Sequence, residues 1–316
     1  MSASLPIVIC GESLLDVFQN GTTPNGLHLD AVVGGSPLNV AAGVQRMGGR
    51  AVFLGAVSRD FLGDRILASI EQEGISTEAL VRCDAPTTLS LVGVDAAGVP
   101  SYRFYGHGGA DRQLLPAHLA ALPAQVAAIH FGSYGCVVEP IGSTLRALVE
   151  ARHRDTVISF DPNVRLNVEP ALAVWRDHIE WMASRTHLLK LSDEDFERLY
   201  PGEDIEVLAA RWLSAGLALV MMTRGGEGAF AWTRAGRVQV AAPKVTVQDT
   251  VGAGDTFQAA TLIALAEIGR LSPQALADIT PDEVGRVADF AARAAAITCT
   301  RRGPDLPRRA ELRAQV

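Results

Sequence analysis

Short apolar runs alternate with amphipathic segments along most of this 316-residue chain, and this alternation constrains the fold more than any other feature. The apolar runs predict strands at Pro6–Cys10, Ala51–Val57, Val126–Phe131, Thr156–Phe160, His187–Leu189 and Leu217–Thr223. Segments with helical spacing follow at Pro37–Met47, Phe61–Glu73, Pro140–Arg152, Leu172–Ala183, Ile205–Ser214, Thr256–Gly269 and Glu283–Thr300. Because apolar strands alternate with helices, we expect an α/β fold whose doubly wound, mainly parallel sheet is flanked by helices on both faces.

Two segments, Ser13–Val33 and Thr87–Tyr105, break this rhythm. Each contains runs in which polar and apolar residues alternate, as in Leu89–Val94. Such a pattern is typical of antiparallel strands with one solvent-exposed face, here added to the main sheet. No linker is long enough to separate independent domains, so residues 1–316 are expected to form one α/β domain that carries residues 13–33 and 87–105 as insertions.

Charge and cysteine content exclude several classes of protein. The formal net charge is −7 and no basic run occurs, which argues against a nucleic-acid partner. No stretch is apolar for long enough to span a bilayer, and Met1–Cys10 lacks the basic region of a signal peptide. The four cysteines are scattered without metal-like spacing and favour reduced thiols, so we expect a cytoplasmic protein that meets no membrane.

The most informative motif is Asp249–Phe257 (DTVGAGDTF), which lies between an extended run and a helix. Gly252 and Gly254 let the backbone approach a ligand closely or take unusual φ values. The first amides of a helix lack internal partners and lie at the positive end of its dipole, so they favour an anion. With Asp255 beside them, a bound phosphate would define a phosphoryl-transfer site. A capped helix behind a plain glycine turn is the structural alternative.

A second glycine-rich motif, Gly34–Asn39 (GGSPLN), opens the first predicted helix. Ser36 and Pro37 form a strong helix start, with Ser36 as the capping residue. Capping does not account for Asn39, a poor helix former, or for the two glycines, which suit backbone and carboxamide contacts with sugar hydroxyls. Asp16 follows the first strand, and ligands of open α/β sheets bind beyond the carboxyl ends of strands.

Three further motifs follow predicted strands. Asp161–Arg165 (DPNVR) supplies a guanidinium that can hold phosphate or sugar oxygens bidentately, although Asp-Pro and Asn also form ordinary turns. Lys190 opens a motif that otherwise has the pattern of a capped helix start, and it is a candidate partner for nucleotide phosphates. Thr223–Gly228 is a glycine-rich turn. The chain has no P-loop and no complete Gly-x-Gly-x-x-Gly after its first strand, which weighs against P-loop NTPases and dinucleotide oxidoreductases.

The two glycine-rich motifs closely resemble, in order and separation, the two signatures of the ribokinase/PfkB family of sugar kinases. The resemblance covers essentially the whole chain. It implies a ribokinase-like fold with a small β-sheet lid, which often serves as a dimer interface, and direct transfer of the ATP γ-phosphate to a sugar hydroxyl. In that family the turn equivalent to Gly252, Ala253 and Gly254 forms an anion hole, and the aspartate equivalent to Asp255 is the catalytic base.

The resemblance also implies roles residue by residue. Sugar contacts are expected from Asp16, Gly34, Gly35, Asn39, Phe104, Arg165 and Asp255. Nucleotide contacts are expected from Lys190, Thr223, Gly225, Gly228, Gly252, Gly254 and Ala292, the last standing where relatives often carry Asn. Many relatives have Asn-x-x-Glu where this chain has Ser192 and Asp195, so Mg²⁺ is expected near Asp195 through water. Asp249 and Val251 match a loop that binds a monovalent cation such as K⁺.

The acceptor sugar is left open between two main readings of the same residues, with ribose, nucleosides and sugar phosphates as further candidates. Asp161–Arg165, Phe104–Asp111 and Gly132–Tyr134 look most like fructokinases, which phosphorylate the 6-hydroxyl of fructose. The alternative acceptor is 2-keto-3-deoxygluconate, because its carboxylate has Arg103 or Arg165 as a partner. A catalytically silent sugar or nucleotide sensor on the same fold is the alternative from another class. For the kinase we expect a small-molecule sugar as partner and a homodimer formed through the lid.

Overall fold

A computed structural model describes residues 5–94 and 100–313 of the chain. The strands within these ranges are β1 (Ile7–Cys10), β2 (Leu14–Thr23), β3 (Gly26–Gly34), β4 (Ala51–Ser58), β5 (Leu80–Cys83), β6 (Leu89–Val94), β7 (Pro100–Tyr105), β8 (Ala128–Gly132), β9 (Val157–Asp161), β10 (Leu188–Ser192), β11 (Leu219–Thr223), β12 (Ala229–Thr233) and β13 (Gly236–Val240). The helices are α1 (Ser36–Arg46), α2 (Phe61–Gln72), α3 (Ile141–Arg152), α4 (Leu172–Ala183), α5 (Asp193–Leu199), α6 (Ile205–Ala215), α7 (Ala253–Glu267), α8 (Pro273–Ala277), α9 (Pro281–Cys299) and α10 (Arg309–Arg313).

Nine of the described strands form one large sheet in the order β13-β12-β11-β10-β9-β8-β1-β4-β5. Neighbours from β11 to β5 run parallel, whereas β12 and β13 pair antiparallel at one edge. The predicted doubly wound, mainly parallel sheet is therefore confirmed. The chain builds from β1 to β4 and β5, and later from β8 to β11 on the other side of β1. The winding thus reverses between β1 and β8, which is where sheets of this kind bind ligands.

Helices cover both faces of this sheet because its strands are apolar on both sides. In β1, Ile7 and Ile9 belong to one hydrophobic cluster, whereas Val8 and Cys10 belong to another. The first cluster also contains side chains of α1, α2, α7 and α9, and the second contains side chains of α3, α4, α5 and α6. Since α1 and α7 pack against each other on the same face, the two glycine-rich motifs that open them are brought together.

Strands β2, β3, β6 and β7 form a separate four-stranded sheet in the order β3-β2-β6-β7. The expectation that they extend the main sheet is wrong, and so is a purely antiparallel pairing, because β2 and β6 run parallel. Leu15 and Val17 of β2 lie in the same cluster as Ile66 and Ile70 of α2, so the small sheet packs over a helix instead of pairing with a strand. Residues 95–99 of the predicted insertion lie outside the described residues.

Two boundaries differ from the sequence prediction in ways that matter for the site. Strand β10 runs on to Ser192, so Lys190 lies inside a strand rather than after one. Asp255 lies in the first turn of α7 rather than ahead of it. The run before Asp249 was interpreted as extended chain; its residues Val245 and Val247 lie outside the described strands and are exposed. The other predicted strands and helices are present, with ends shifted by at most three residues.

Two further observations concern the cysteines and the hydropathy of the helices. The four cysteines are unpaired thiols. Within residues 5–94 and 100–313, no helix combines the length and the apolar character needed to cross a bilayer.

Candidate active site

The expected site residues gather at the carboxyl ends of the central parallel strands. Asp161 ends β9, Lys190 lies near the end of β10, and Thr223 ends β11. Parallel strands present their carboxyl ends at one edge of a sheet, so these side chains share an edge with the segments that follow β1 and β8. The N-terminus of α7 reaches the same edge, because a Cβ placed on Gly254 would lie 3.1 Å from Lys190 Nζ.

Asp255 is held by two side chains from the first turn of α1. Its Oδ1 accepts a hydrogen bond from Ser36 Oγ at 2.6 Å, and its Oδ2 accepts one from Asn39 Nδ2 at 2.8 Å. Asp255 is 7% exposed. Burial raises the pKa of Asp255 above its ordinary value, and the two hydrogen bonds oppose that rise. The carboxylate is therefore fixed in direction and more basic than a solvated aspartate.

Ser36 does not have the capping role that its sequence position predicts. The N-cap of α1 is Gly35, with φ 111°, and no side chain caps this helix. Ser36 is the first helical residue, and its hydroxyl donates to Asp255 instead. A Cβ on Gly35 would lie 2.7 Å from the carbonyl oxygen of Glu12, so both φ and space require glycine there. Sequence reasoning missed Ser36 as a site residue, although its spacing of three from Asn39 places both on one side of a helix.

The turn that leads into α7 leaves amides available to a ligand. Gly252 is the N-cap of α7 and adopts a left-handed conformation with φ 79°. The amide of Ala253 donates to the carbonyl of Thr250 at 3.2 Å. The amides of Gly254 and Asp255 have no acceptor within the described part of the chain. These two amides lie at the positive end of the helix and can bind an anion.

A buried ion pair lies beside this turn. Lys190 Nζ donates to Asp161 Oδ2 at 2.8 Å, and the two residues are 4% and 2% exposed. Among the described residues, Asp161 Oδ1 has no hydrogen-bond partner. An ammonium and a helix N-terminus both favour negative charge, so Lys190 and the start of α7 place two groups that can bind an anion next to Asp161 and Asp255.

Ser192 and Asp195 stand at the start of α5. Ser192 is the N-cap, and its hydroxyl accepts from the amide of Asp195 at 3.1 Å. Asp195 Oδ2 accepts from the amide of Val164 at 3.4 Å, and Asp195 Oδ1 lies 3.6 Å from Arg198. Burial raises the pKa of Asp195. Across residues 5–94 and 100–313, no group of three acidic, histidine or cysteine side chains is placed to hold a metal.

Asp16, Gly34 and Arg165 form a second group close to Asp255. A Cβ on Gly34 would lie 2.3 Å from Asp16 Oδ2, so glycine is what leaves room for this carboxylate. Burial raises the pKa of Asp16, against a hydrogen bond from Ser90 and the charge of Arg165. Asp255 adds to the rise through its own negative charge, which places the two carboxyl groups in one electrostatic environment. The acceptors and the cation expected at a sugar pocket are thus brought together.

Phe104, an expected sugar contact, lies among residues of the two fructokinase-like motifs Phe104–Asp111 and Gly132–Tyr134. Phe104 of β7 packs edge-on against Tyr134, with ring centroids 5.7 Å apart. Tyr134 donates its hydroxyl to Asp111 Oδ2 at 2.9 Å, and Thr88 donates to the other carboxylate oxygen. Glu12 is buried near Tyr134, and burial raises the pKa of Glu12 to about 7. Two of the motifs that resemble fructokinases are therefore in direct contact at the base of the small sheet.

The other residues expected at a nucleotide lie outside these contacts. Thr223 ends β11, and Gly225 and Gly228 belong to the turn between β11 and β12. Gly228 adopts φ 94°, and a Cβ there would lie 2.0 Å from the carbonyl oxygen of Val240. Ala292 is buried in α9, which packs along α7. The described contacts join none of these four residues to the carboxylate at the start of α7.

The loop before the glycine turn is fastened by Asp249. Its Oδ1 accepts from the amide of Val251 at 3.0 Å, and its Oδ2 accepts from the amide of Gly303 at 2.8 Å. Both carboxylate oxygens are therefore engaged. A cation bound at this loop would have main-chain carbonyl oxygens as its free ligands.

A buried carboxylate at a helix N-terminus, unengaged amides beside it and a neighbouring pocket of hydrogen-bonding side chains suit phosphoryl transfer to a hydroxyl group. The family model for pfkB family carbohydrate kinases matches residues 7–310. The chain belongs to the pfkB family of carbohydrate kinases.

Relatives and a solved structure agree with this assignment. The fructokinase of Rhizobium leguminosarum bv. trifolii is 33% identical over 273 residues, which cover 86% of this chain and 83% of that protein. Fructokinase-1 of Oryza sativa subsp. japonica is 31% identical over 316 residues, which cover 97% and 96% of the two chains. The crystal structure of fructokinase with bound ATP from Xylella fastidiosa matches with a TM-score of 0.87 at 25% identity and covers 98% of this chain and 97% of its own. The expected ribokinase-like fold is confirmed.

Proposed function

We propose that this chain transfers the γ-phosphate of ATP to the 6-hydroxyl of fructose. The observation that carries the proposal is the setting of Asp255. This buried carboxylate is aimed by Ser36 and Asn39 and stands beside the unengaged amide of Gly254 in the first turn of α7. Such an arrangement suits a base placed next to a transferring phosphoryl group.

Each part of the site has one task in this proposal. Asp255 accepts the proton of the attacking sugar hydroxyl, and its raised pKa makes it a better proton acceptor than a solvated aspartate. The Gly252–Gly254 turn acts as the anion hole, mainly through the amides of Gly254 and Asp255 because that of Ala253 is already bonded. Lys190 adds a positive charge on the same side.

Fructose is supported by the relatives and by the charge of the pocket. The Rhizobium and rice relatives are both fructokinases. Arg165 shares its surroundings with Asp16, Asp195 and Glu12: burial raises the pKa of each carboxyl group, and the positive charge of Arg165 opposes that rise. The carboxylate of 2-keto-3-deoxygluconate would enter an acid-rich pocket and be repelled. A neutral ketose offers hydroxyl donors, which carboxylates accept well.

ATP is proposed as the phosphate donor, in keeping with the related Xylella fructokinase solved with ATP bound. Thr223, Gly225, Gly228 and Ala292 would line the nucleotide beyond its phosphates. Mg²⁺, which neutralises phosphate oxygens when bound, would be held by the ATP phosphates and by Asp195 through water.

A monovalent cation such as K⁺ is proposed at the loop of Asp249 and Val251. The loop lies directly before the anion-binding turn, and the amide of Gly303 fastens it to the C-terminal segment. A cation there would stabilise the loop through main-chain carbonyls without entering the transfer itself.

The small sheet is proposed to act as a lid and as the surface of a homodimer. Its edge strand β3 exposes Leu27, Leu29 and Val32, which supports burial against a second copy. Closure of the lid would exclude water from the transfer and limit wasteful hydrolysis of ATP. We further propose that residues 1–316 act as one domain and that the enzyme works in the cytoplasm.

A coupled ADP-release assay over a sugar panel tests the proposal. Fructose should raise ADP release far above the rate with ATP alone, and NMR of the product should show phosphate on the 6-oxygen. If no sugar raises the rate, the kinase proposal fails and a catalytically silent sensor is favoured. If 2-keto-3-deoxygluconate gives the higher kcat/KM, the acceptor assignment fails while the reaction class stands.

A further inference from the structure

Arg46, at the end of α1, joins this helix to two other segments through one guanidinium. Its Nε and Nη2 donate to the two carboxylate oxygens of Glu73, at 2.9 and 2.7 Å. Its Nη1 donates to Asp305 Oδ1 at 2.9 Å and to the carbonyl oxygen of Leu306 at 2.7 Å. A planar fork of this kind fixes the geometry of its partners more tightly than a single ammonium contact does.

The C-terminal segment that Arg46 holds touches the glycine turn directly. A Cβ on Gly252 would lie 2.8 Å from Pro304 Cβ, so the proline fills the space beside this glycine. The preceding residue, Gly303, donates its amide to Asp249 Oδ2 at 2.8 Å. The segment thus contacts the turn at its N-cap and the loop before it, immediately next to the residue that Arg46 binds.

Packing holds this segment on one side only. Leu306 is 1% exposed, and a Cβ on Gly43 of α1 would lie 2.6 Å from its Cδ2. On the other side lies a cavity of about 400 Å³, lined by Arg46, Pro304 and Asp305 and, from the small sheet, by Phe18 and Val32. Side chains that face a cavity lack packing partners on that side, so polar contacts add restraint there. The side chain of Arg46 is 17% exposed, which limits screening of its ion pairs by solvent.

We propose that Arg46 is a positioning residue of the kinase. Through the segment 303–306 it sets the position of Gly252 and, with it, the direction of the Gly254 and Asp255 amides. The inference rests on the proposed role of that turn in binding the transferring phosphoryl group. Loss of the fork should therefore impair phosphate transfer and ATP binding more than sugar binding, because Asp16, Gly34 and Arg165 of the expected sugar pocket lie outside α1 and outside this turn.

The matched pair of variants is Arg46→Met and Arg270→Met. Arg270 also forks to a glutamate, Glu283, and donates to a main-chain carbonyl, that of Ala275 at 3.1 Å. Both variants keep the alkyl stem, and both should lower thermal stability. We expect Arg46→Met to reduce kcat by at least about tenfold and to raise the KM for ATP, with the KM for fructose within about twofold of wild type. Arg270→Met should keep wild-type kinetic constants.

Hydrogen exchange gives a readout that is independent of activity. A peptide spanning residues 249–257 should exchange faster in Arg46→Met than in wild type or Arg270→Met. Equal exchange in the two variants, equal kcat in the two variants, or a defect confined to the KM for fructose would each overturn the inference. A wild-type enzyme that phosphorylates no sugar would refute the proposed function, while the exchange data would still decide the role of Arg46.

Pro304→Gly decides the question if Arg46→Met does not fold. This variant keeps the Arg46 side chain and removes the Cβ that lies beside Gly252, an atom that an alanine would retain. It should show the same pattern, a lower kcat and a higher KM for ATP, with a smaller change than that of Arg46→Met. Wild-type kinetics in Pro304→Gly would refute a positional link between the segment and the turn.

Discussion

Removing the Ser36 hydroxyl should shift the pH dependence of the enzyme. In Ser36→Ala, Asp255 Oδ1 loses a donor at 2.6 Å, while Asn39 still donates to Oδ2. Burial already raises the pKa of Asp255, and the hydrogen bond from Ser36 is the first of the contacts that oppose this rise. Loss of that bond favours the protonated form, because only the ionised carboxylate benefits fully from a hydroxyl donor.

The size and sign of the shift follow from the strength of one such bond. A hydrogen bond to a charged group contributes about 1.5–3 kcal/mol, and about 1.4 kcal/mol corresponds to one pH unit at a titration midpoint. The base must be ionised to accept a proton, so activity falls as pH falls. In Ser36→Ala the midpoint of this acid limb should move upward by about one to two pH units, and the two enzymes should differ least at alkaline pH.

The assay is kcat/KM for fructose, measured by ADP release from about pH 5 to about pH 9, since this quantity reports the ionisation of the free enzyme. Ser36→Thr keeps a hydroxyl at the same position and is the control. An unchanged acid midpoint in Ser36→Ala would refute the role assigned to this bond. An equal shift in Ser36→Thr would show that the shift arises from something other than the lost donor.

Three shorter predictions concern the same site. Asp255→Asn should lower kcat by about 10²-fold or more in the ADP-release assay, and near-normal turnover would contradict its role as base. Lys190→Met leaves Asp161 buried without its cation and should lower the free energy of unfolding by about 3–5 kcal/mol, measured with denaturant. The added change Asp161→Asn should restore part of this loss, and an unaltered unfolding midpoint in Lys190→Met would argue against the ion pair. Gly34→Ala places a Cβ 2.3 Å from Asp16 Oδ2 and should raise the KM for fructose at least about tenfold, while an equal rise in the KM for ATP would point to general distortion.

The main sheet was predictable because its pattern is local. Buried parallel strands are apolar throughout and helices have their own period, so α4 (Leu172–Ala183) was predicted with its observed ends. The small sheet was predictable as strands from the local pattern, whereas only the family resemblance predicted it as a separate small sheet. A half-polar strand has the same pattern whichever sheet it joins, and the choice here depends on contacts of Leu15 and Val17 with Ile66 and Ile70, which are distant in sequence.

In the site, too, local patterns were predictable from the sequence and contacts between distant residues were not. Asn39 and Asp255 are 216 residues apart, so their pairing was inferred from the family signatures and not from any local pattern. Ser36 was interpreted as a cap because serine prefers the N-cap position of helices, and such local preferences can be recognised in a single sequence. In the fold, Gly35 occupies the cap position and Ser36 is free to bond elsewhere. The partner of Lys190 could not be read from the sequence either, because it depends on which strands lie side by side.

In the proposed phosphate site, the ion pair of Lys190 and Asp161 offsets the cost of a buried ammonium. A buried ammonium beside a helix N-terminus is opposed both by desolvation and by the helix dipole. Asp161 offsets that cost through a bond of 2.8 Å. An ammonium has three donors, so Lys190 can bond to an anion at the Gly254 amide without releasing Asp161. Binding would then require no separation of buried charges, and the pair would still hold Lys190 in place beside the turn.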